Sequence, residues 1–231
     1  MTHATRLEAH DSGSGRDLEW QERGFDLLRG VAAYTASDLV TALARAVVRH
    51  PDARLDQAFN HKQIASKMWA RDQLFLTLGA GFERIWIMGG WYGVLGAVLF
   101  DDRRFSVGEI VSYDVDPSVA AVAQTLNAGS KGRFRAVTGD MYAIDYAAAE
   151  RPDLIINTSC EHLADLGGWL ARLPARTAVL LQSNNYFAEP EHISCMSSLS
   201  SFERAAGLSE LIFSGELALK KYTRFMLIGR K

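Results

Sequence analysis

The sequence predicts an α/β chain: one doubly wound, mostly parallel sheet, with a helical cap before it and an antiparallel hairpin after it. Three observations lead there. From about residue 80, short apolar runs alternate with helix-period runs, as strand–helix–strand units do when their sheet is buried on both faces. Residues 17–79 carry only three- and four-residue apolar spacing, which is helical. Near the end, SELIFSGELAL and YTRFMLIGRK are two strand-like runs with a short connection, the pattern of a hairpin. With 231 residues, 48% of them hydrophobic, the chain can bury one large core and a small cap beside it.

The opening MTHATRLEAHDSGSG has neither the basic nor the apolar region of a secretory signal, and residues 1–16 read as a disordered lead-in. The cap, residues 17–79, is expected from FDLLRGVAAY, SDLVTALARAVVRH and HKQIASKMWARDQLFLTL. Ser37 is placed to N-cap the middle helix and Pro51 to stop it. Residues 80–231 form the main domain. Its strands are RIWIM, EIVSYD, RFRAVTGD, DLIIN and AVLLQSN, and WYGVLGAVLF, PSVAAVAQTLN, a short stretch near Tyr146 and CEHLADLGGWLARL lie between them.

Composition excludes several classes. A formal charge of −2 gives no electrostatic footprint for nucleic acid or an anionic membrane surface. No apolar stretch reaches the roughly 18 residues of a membrane span. Two cysteines, Cys160 and Cys195, without CxxC spacing give no disulfide framework and suit a reducing cytoplasm. A small-molecule substrate is expected as partner, and a homodimer is left open.

In an open parallel sheet, ligands bind at the carboxyl ends of the strands. The first exit reads Gly89-Gly90-Trp91-Tyr92-Gly93. Two rings among glycines suit a pyrophosphate poorly, because backbone N–H groups must wrap that anion. They suit a sulfonium or ammonium, which an aromatic face attracts by roughly 0.5–2 kcal/mol; alternatively, either ring packs under the cap. At the second exit Asp116 reads as an N-cap with Pro117 at the first helical position. That leaves Asp114 facing the crevice, where a carboxylate accepts ribose hydroxyls. Asp140, at the third exit, is positioned to reach an adenine edge.

GGWYG, YDVDP, GDMY and INTSCEH, at four successive exits over residues 80–231, resemble the class I S-adenosylmethionine (SAM)-dependent methyltransferase family, whose fold is Rossmann-like. The resemblance implies SAM as cofactor or substrate. Gly89, Gly90 and Gly93 would approach its methionyl end, Asp114 its ribose, and Asp140 with Met141 its adenine. Trp91 and Tyr92 depart from the family's small residues at this loop.

The fourth and fifth exits carry Asn157, Thr158, Ser159, Cys160, Glu161 and His162, then Gln182, Ser183, Asn184, Asn185 and Tyr186. Glu161 and His162 serve either the chemistry or the start of the next helix. Cys160 reads as a small buried residue rather than a nucleophile. Among Glu161, His162, Glu189, Glu191 and His192 there is no HExxH or comparable spacing, so no metal site is expected.

Three readings of such a site follow. The leading expectation is intramolecular cyclisation of SAM to azetidine-2-carboxylate with release of 5′-methylthioadenosine. Asn157, Tyr186 and Ser159 or Ser183 would accept the ammonium protons, with Trp91 and Tyr92 as the wall and Glu161 and His162 close by. It is favoured because residues 188–231 leave no room for a substantial acceptor domain, and because NTSCEH, LQSNNYF and GELALKKYTRFMLIG resemble azetidine-2-carboxylate synthase-like members of the family. The alternative is a small-molecule N- or O-methyltransferase that makes S-adenosylhomocysteine. A non-catalytic SAM- or nucleotide-binding module is the third reading, disfavoured by the polar crowd at exits four and five.

Overall fold

The computed structural model describes residues 14–147 and 150–231. Four helices come first: α1 (Ser14–Thr35), α2 (Asp38–Arg49), α3 (Leu55–Ala58) and α4 (His61–Leu78). The expected lead-in falls on residues 1–13, outside those described, and on Ser14–Arg16, which belong to α1. Ser37 caps α2 by accepting from the Val40 N–H, and Asn60 caps α4 by accepting from Lys62 and Gln63; such caps contribute about 1 kcal/mol each.

The strands are β1 (Gly81–Met88), β2 (Ser106–Asp114), β3 (Phe134–Thr138), β4 (Leu154–Asn157), β5 (Ala178–Asn184), β6 (Glu210–Ala218) and β7 (Thr223–Arg230). They form one sheet in the order β3-β2-β1-β4-β5-β7-β6. β1 to β5 are mutually parallel, and β7 runs antiparallel to both β5 and β6. The predicted mixed sheet is therefore present, with the hairpin's second strand inserted between β5 and its first. The order reverses between β1 and β4, so the crevice opens beside the end of β1.

Helices α5 (Val94–Asp101) and α6 (Ala120–Leu126) follow β1 and β2, and α7 (Leu166–Ala171) and α8 (Leu199–Ala206) flank β5. Leu95 and Leu99 of α5 and Ala123 of α6 pack on one sheet face with Ile85, Ile87, Ile110 and Ile156. Ala70 and Leu74 of α4 join the same cluster, which makes α4 part of the sheet's covering layer. On the other face Trp169 of α7 and Phe202 of α8 pack against Met88, Val111, Val179 and Leu227. The stretch near Tyr146 holds no α-helix among the described residues. Its ring is buried against Trp86, and its hydroxyl donates to the Met141 carbonyl and accepts from the Trp169 indole.

Register aligns the carboxyl ends into one rim. Met88 lies beside both Tyr113 and Asn157, Asp114 beside Thr138, and Asn184 beside Arg224. Among the described residues no helix is long and apolar enough to cross a membrane.

Candidate active site

One cleft of about 810 Å³ runs along that rim, within the range of small-molecule and cofactor sites. Its first half is made by the exits of β1, β2 and β3. The Gly90 N–H donates to the Tyr113 carbonyl and the Gly139 N–H to the Asp114 carbonyl, so each loop is tied to the end of β2. A Cβ at Gly90 would collide with the Ser112 hydroxyl, which is why the backbone here must be bare. Trp91 holds φ at +48°, uncommon for a bulky side chain. It is kept there by its N–H, which donates to Asp114 Oδ2 at 2.8 Å. Asp114 Oδ1 accepts from the Asp116 N–H at 3.1 Å, so each oxygen is anchored once and retains a lone pair for the cleft. Asp140 Oδ1 accepts from the Tyr142 N–H, and Asp140, Met141 and Tyr142 line the same wall.

The second half gathers the exits of β4 and β5, the start of β7 and the inner face of α4. Ser159, Glu161, His162, Tyr186, Glu189, Glu191 and His192 all border it. Glu161, only 2% exposed, lies in a 3₁₀ turn, Cys160–His162, while α7 starts later with Asp165 as its N-cap. Its Oε1 accepts from Asn184 Nδ2 at 2.6 Å and from Arg224 Nη1 at 3.1 Å. Lys67 is buried and lines the cleft, and its ammonium donates to Gln63 at 2.7 Å. Burial pushes the Lys67 pKa down to about 7; the Arg224 charge pushes the same way and Glu161 opposes it. A lysine amine tuned so can take up a proton near neutral pH. The Tyr186 ring sits 5.3 Å from that of Tyr222 and 6.0 Å from that of His192.

Of the expected residues, Gly89, Gly90, Trp91, Asp114, Asp140, Met141, Ser159, Glu161, His162 and Tyr186 border the cleft. Four do not. Tyr92 is buried beneath α2, stacked on Trp91 at 4.8 Å, and its hydroxyl accepts from the Arg54 N–H; it backs the wall and leaves the facing surface to Trp91. Gly93 caps α5 with φ +69°, packed so tightly on Asn127 and Phe134 that a Cβ would overlap both. Asn157 is fully buried, and its Oδ1 turns the chain by accepting from the Ser159 N–H. Ser183, also fully buried, lies on β5 behind the cleft. Cys160 is buried as expected: its thiol donates to the Asn157 carbonyl, and burial raises its pKa well above the usual thiol value.

Lys67, Arg224 and Tyr222 were not among the expected residues. Lys67 shares a helical stripe with Ala70 and Leu74, and Arg224 alternates with Met226 and Ile228 on a buried strand. A charge on an apolar face was the available signal in both cases.

The sequence matches no protein-family model and no curated protein. Solved structures do match. The N-methyltransferase NodS from Bradyrhizobium japonicum WM9, in complex with S-adenosylhomocysteine, has a TM-score of 0.58 at 12% identity over 81% of this chain and 97% of that one. The 1,6-didemethyltoxoflavin-N1-methyltransferase of Burkholderia thailandensis, with 1,6-didemethyltoxoflavin and S-adenosylhomocysteine bound, gives 0.54 at 16% over 100% and 93%. The YcgJ protein of Bacillus subtilis gives 0.55 at 14% over 71% and 98%. The chain has the class I methyltransferase fold. In this methyltransferase fold the glycine loop, Asp114 and Asp140 occupy consecutive exits on one side of the switch point, and the Glu161 group occupies the other.

Proposed function

We propose that the protein is a SAM-dependent methyltransferase of a small molecule, releasing S-adenosylhomocysteine. The observation that carries this reading is the two-part cleft: an anchored carboxylate and glycine loop on one side, and Lys67, Tyr186 and Tyr222 on the other. Asp114 would accept the ribose hydroxyls, Asp140 and Met141 would bound the adenine, and the Trp91 side would lie against the sulfonium. The acceptor's lone pair attacks the methyl carbon, and the carbon–sulfur bond breaks with its electrons staying on sulfur. The acceptor's proton passes to Lys67 as general base. The bound S-adenosylhomocysteine of two fold neighbours supports methyl transfer over cyclisation. Asn157 and Ser183, wanted by cyclisation as proton acceptors, are fully buried and do not border the cleft, which weighs the same way.

The test is incubation with SAM, alone and with pooled small amines and alcohols, followed by mass spectrometry. S-adenosylhomocysteine that appears only with an acceptor is the expected result. Methylthioadenosine with azetidine-2-carboxylate from SAM alone would replace methyl transfer by cyclisation. No product in either arm, with no SAM binding by calorimetry, would overturn both.

A further inference from the structure

The two oxygens of Glu161 are treated unequally. Oε1 holds Asn184 and Arg224, whereas Oε2 is buried with no hydrogen-bond partner among the described residues. An acceptor buried without a partner is costly, the more so when charged. Two imidazoles stand beside this carboxylate, their rings edge to face at 4.9 Å and 87°. His162 Nδ1 lies 3.0 Å from the Glu191 carbonyl, and His192 Nδ1 lies 3.0 Å from the Tyr186 carbonyl. A carbonyl only accepts, so each Nδ1 carries the hydrogen and each neutral ring keeps its lone pair on Nε2. His192 Nε2 lies 4.0 Å from Glu161 Oε1, and one ligand atom from each of the three side chains falls within 4.8 Å of the others.

We propose that Glu161, His162 and His192 bind one divalent transition-metal ion, with Zn²⁺ the best match to two imidazoles and one carboxylate. Mg²⁺ prefers oxygen ligands and retained water, and the nitrogen pair selects against it. Imidazole ligands characteristically donate their second N–H to a carbonyl, and ligating carboxylates are themselves hydrogen-bonded. The Glu191 and Tyr186 carbonyls, Asn184 and Arg224 already supply those outer contacts. Three protein ligands leave a coordination position open, and all three residues face the cleft. The metal site stands independently of the methyl-transfer reading.

Protein stripped by a chelator is titrated with Zn²⁺ against a chromophoric competitor, with folding checked by circular dichroism. One equivalent should bind. His162→Ala and His192→Ala should each weaken binding at least about 100-fold, the upper range for losing even an outer-shell partner. Cys195→Ser, a nearby thiol outside the triad, should bind as wild type. A measurement that needs no variant is the visible spectrum on Co²⁺ addition, where a mixed nitrogen–oxygen site gives new ligand-field bands. Absence of stoichiometric uptake, no such bands, uptake unchanged in the two histidine variants, dependence on Cys195, or equal competition by Mg²⁺ would each overturn the site.

Discussion

The two halves of the cleft are built on opposite principles. Around β1, β2 and β3, the carboxylates accept from backbone N–H groups of the exit loops: Asp116 gives its N–H to Asp114 from two residues on, Trp91 gives its own to the other oxygen from the neighbouring exit, and Tyr142 serves Asp140. Around β4, β5 and β7 the partners are side chains of other elements. Glu161 pairs with Asn184 and Arg224, 23 and 63 residues away, and Ser66 of α4 donates to Gln182 of β5, 116 residues away. The local half is stitched by backbone donors that secondary structure leaves over; the remote half is a buried charge network that exists only once the sheet is assembled. Damage to the first should therefore appear in ligand affinity, and damage to the second in stability as well.

The largest expected effect lies in the remote half. Arg224→Met removes the guanidinium from a buried carboxylate and should cost about 3–5 kcal/mol, read as a lower urea midpoint at unchanged m-value. A loss below about 1 kcal/mol would erase the contrast between the halves. Asp114→Ala comes next and should weaken SAM binding by about 2–4 kcal/mol in calorimetry with little change in Tm. Equal losses in affinity and stability would make Asp114 structural.

Lys67 sharpens the comparison through pH. Its folded pKa is about 7, against 10.5 for the free side chain, so below pH 7 both states are protonated and the burial penalty is constant. Between about pH 7 and 10 the unfolded chain binds the extra proton, and wild type should gain stability relative to Lys67→Met, by at most about 1.4 kcal/mol per pH unit. A flat difference across that window would mean the amine is not held neutral. The smallest effect is expected from Tyr92→Phe, which loses the hydrogen bond from the Arg54 N–H. It should lower stability by about 0.5–1.5 kcal/mol and leave SAM affinity unchanged. A change in affinity would return Tyr92 to the ligand wall.

The same contrast explains what could be read in advance. Gly90, Asp114 and Asp140 were expected at the cleft from position at a strand exit and from turn chemistry within a few residues, and all three border it. Tyr92, Gly93 and Asn157 do not border the cleft, although neighbours in their loops do. Adjacent positions in a turn point in different directions, and nothing in spacing told which would face the cleft. Glu161, His162 and His192 were weighed as ligands and set aside because ligand-spacing rules describe sites on one element. These three come from the turn after β4 and the loop after β5.

By itself, the sequence determined the alternation of strands and helices, the caps at Ser37 and Asp116, and the carboxylates at the second and third exits. All of these rest on periods of two and 3.6 residues and on contacts within one turn, which are local properties of the backbone. Only the tertiary structure decided that β7 enters between β5 and β6, which sets Arg224 beside Asn184 and against Glu161, and that α4 lies on the sheet and buries Lys67 in the cleft wall. Those outcomes depend on burying apolar faces of segments far apart in the chain, and the charges carried inward with them acquire their partners, and Lys67 its lowered pKa, only from that packing.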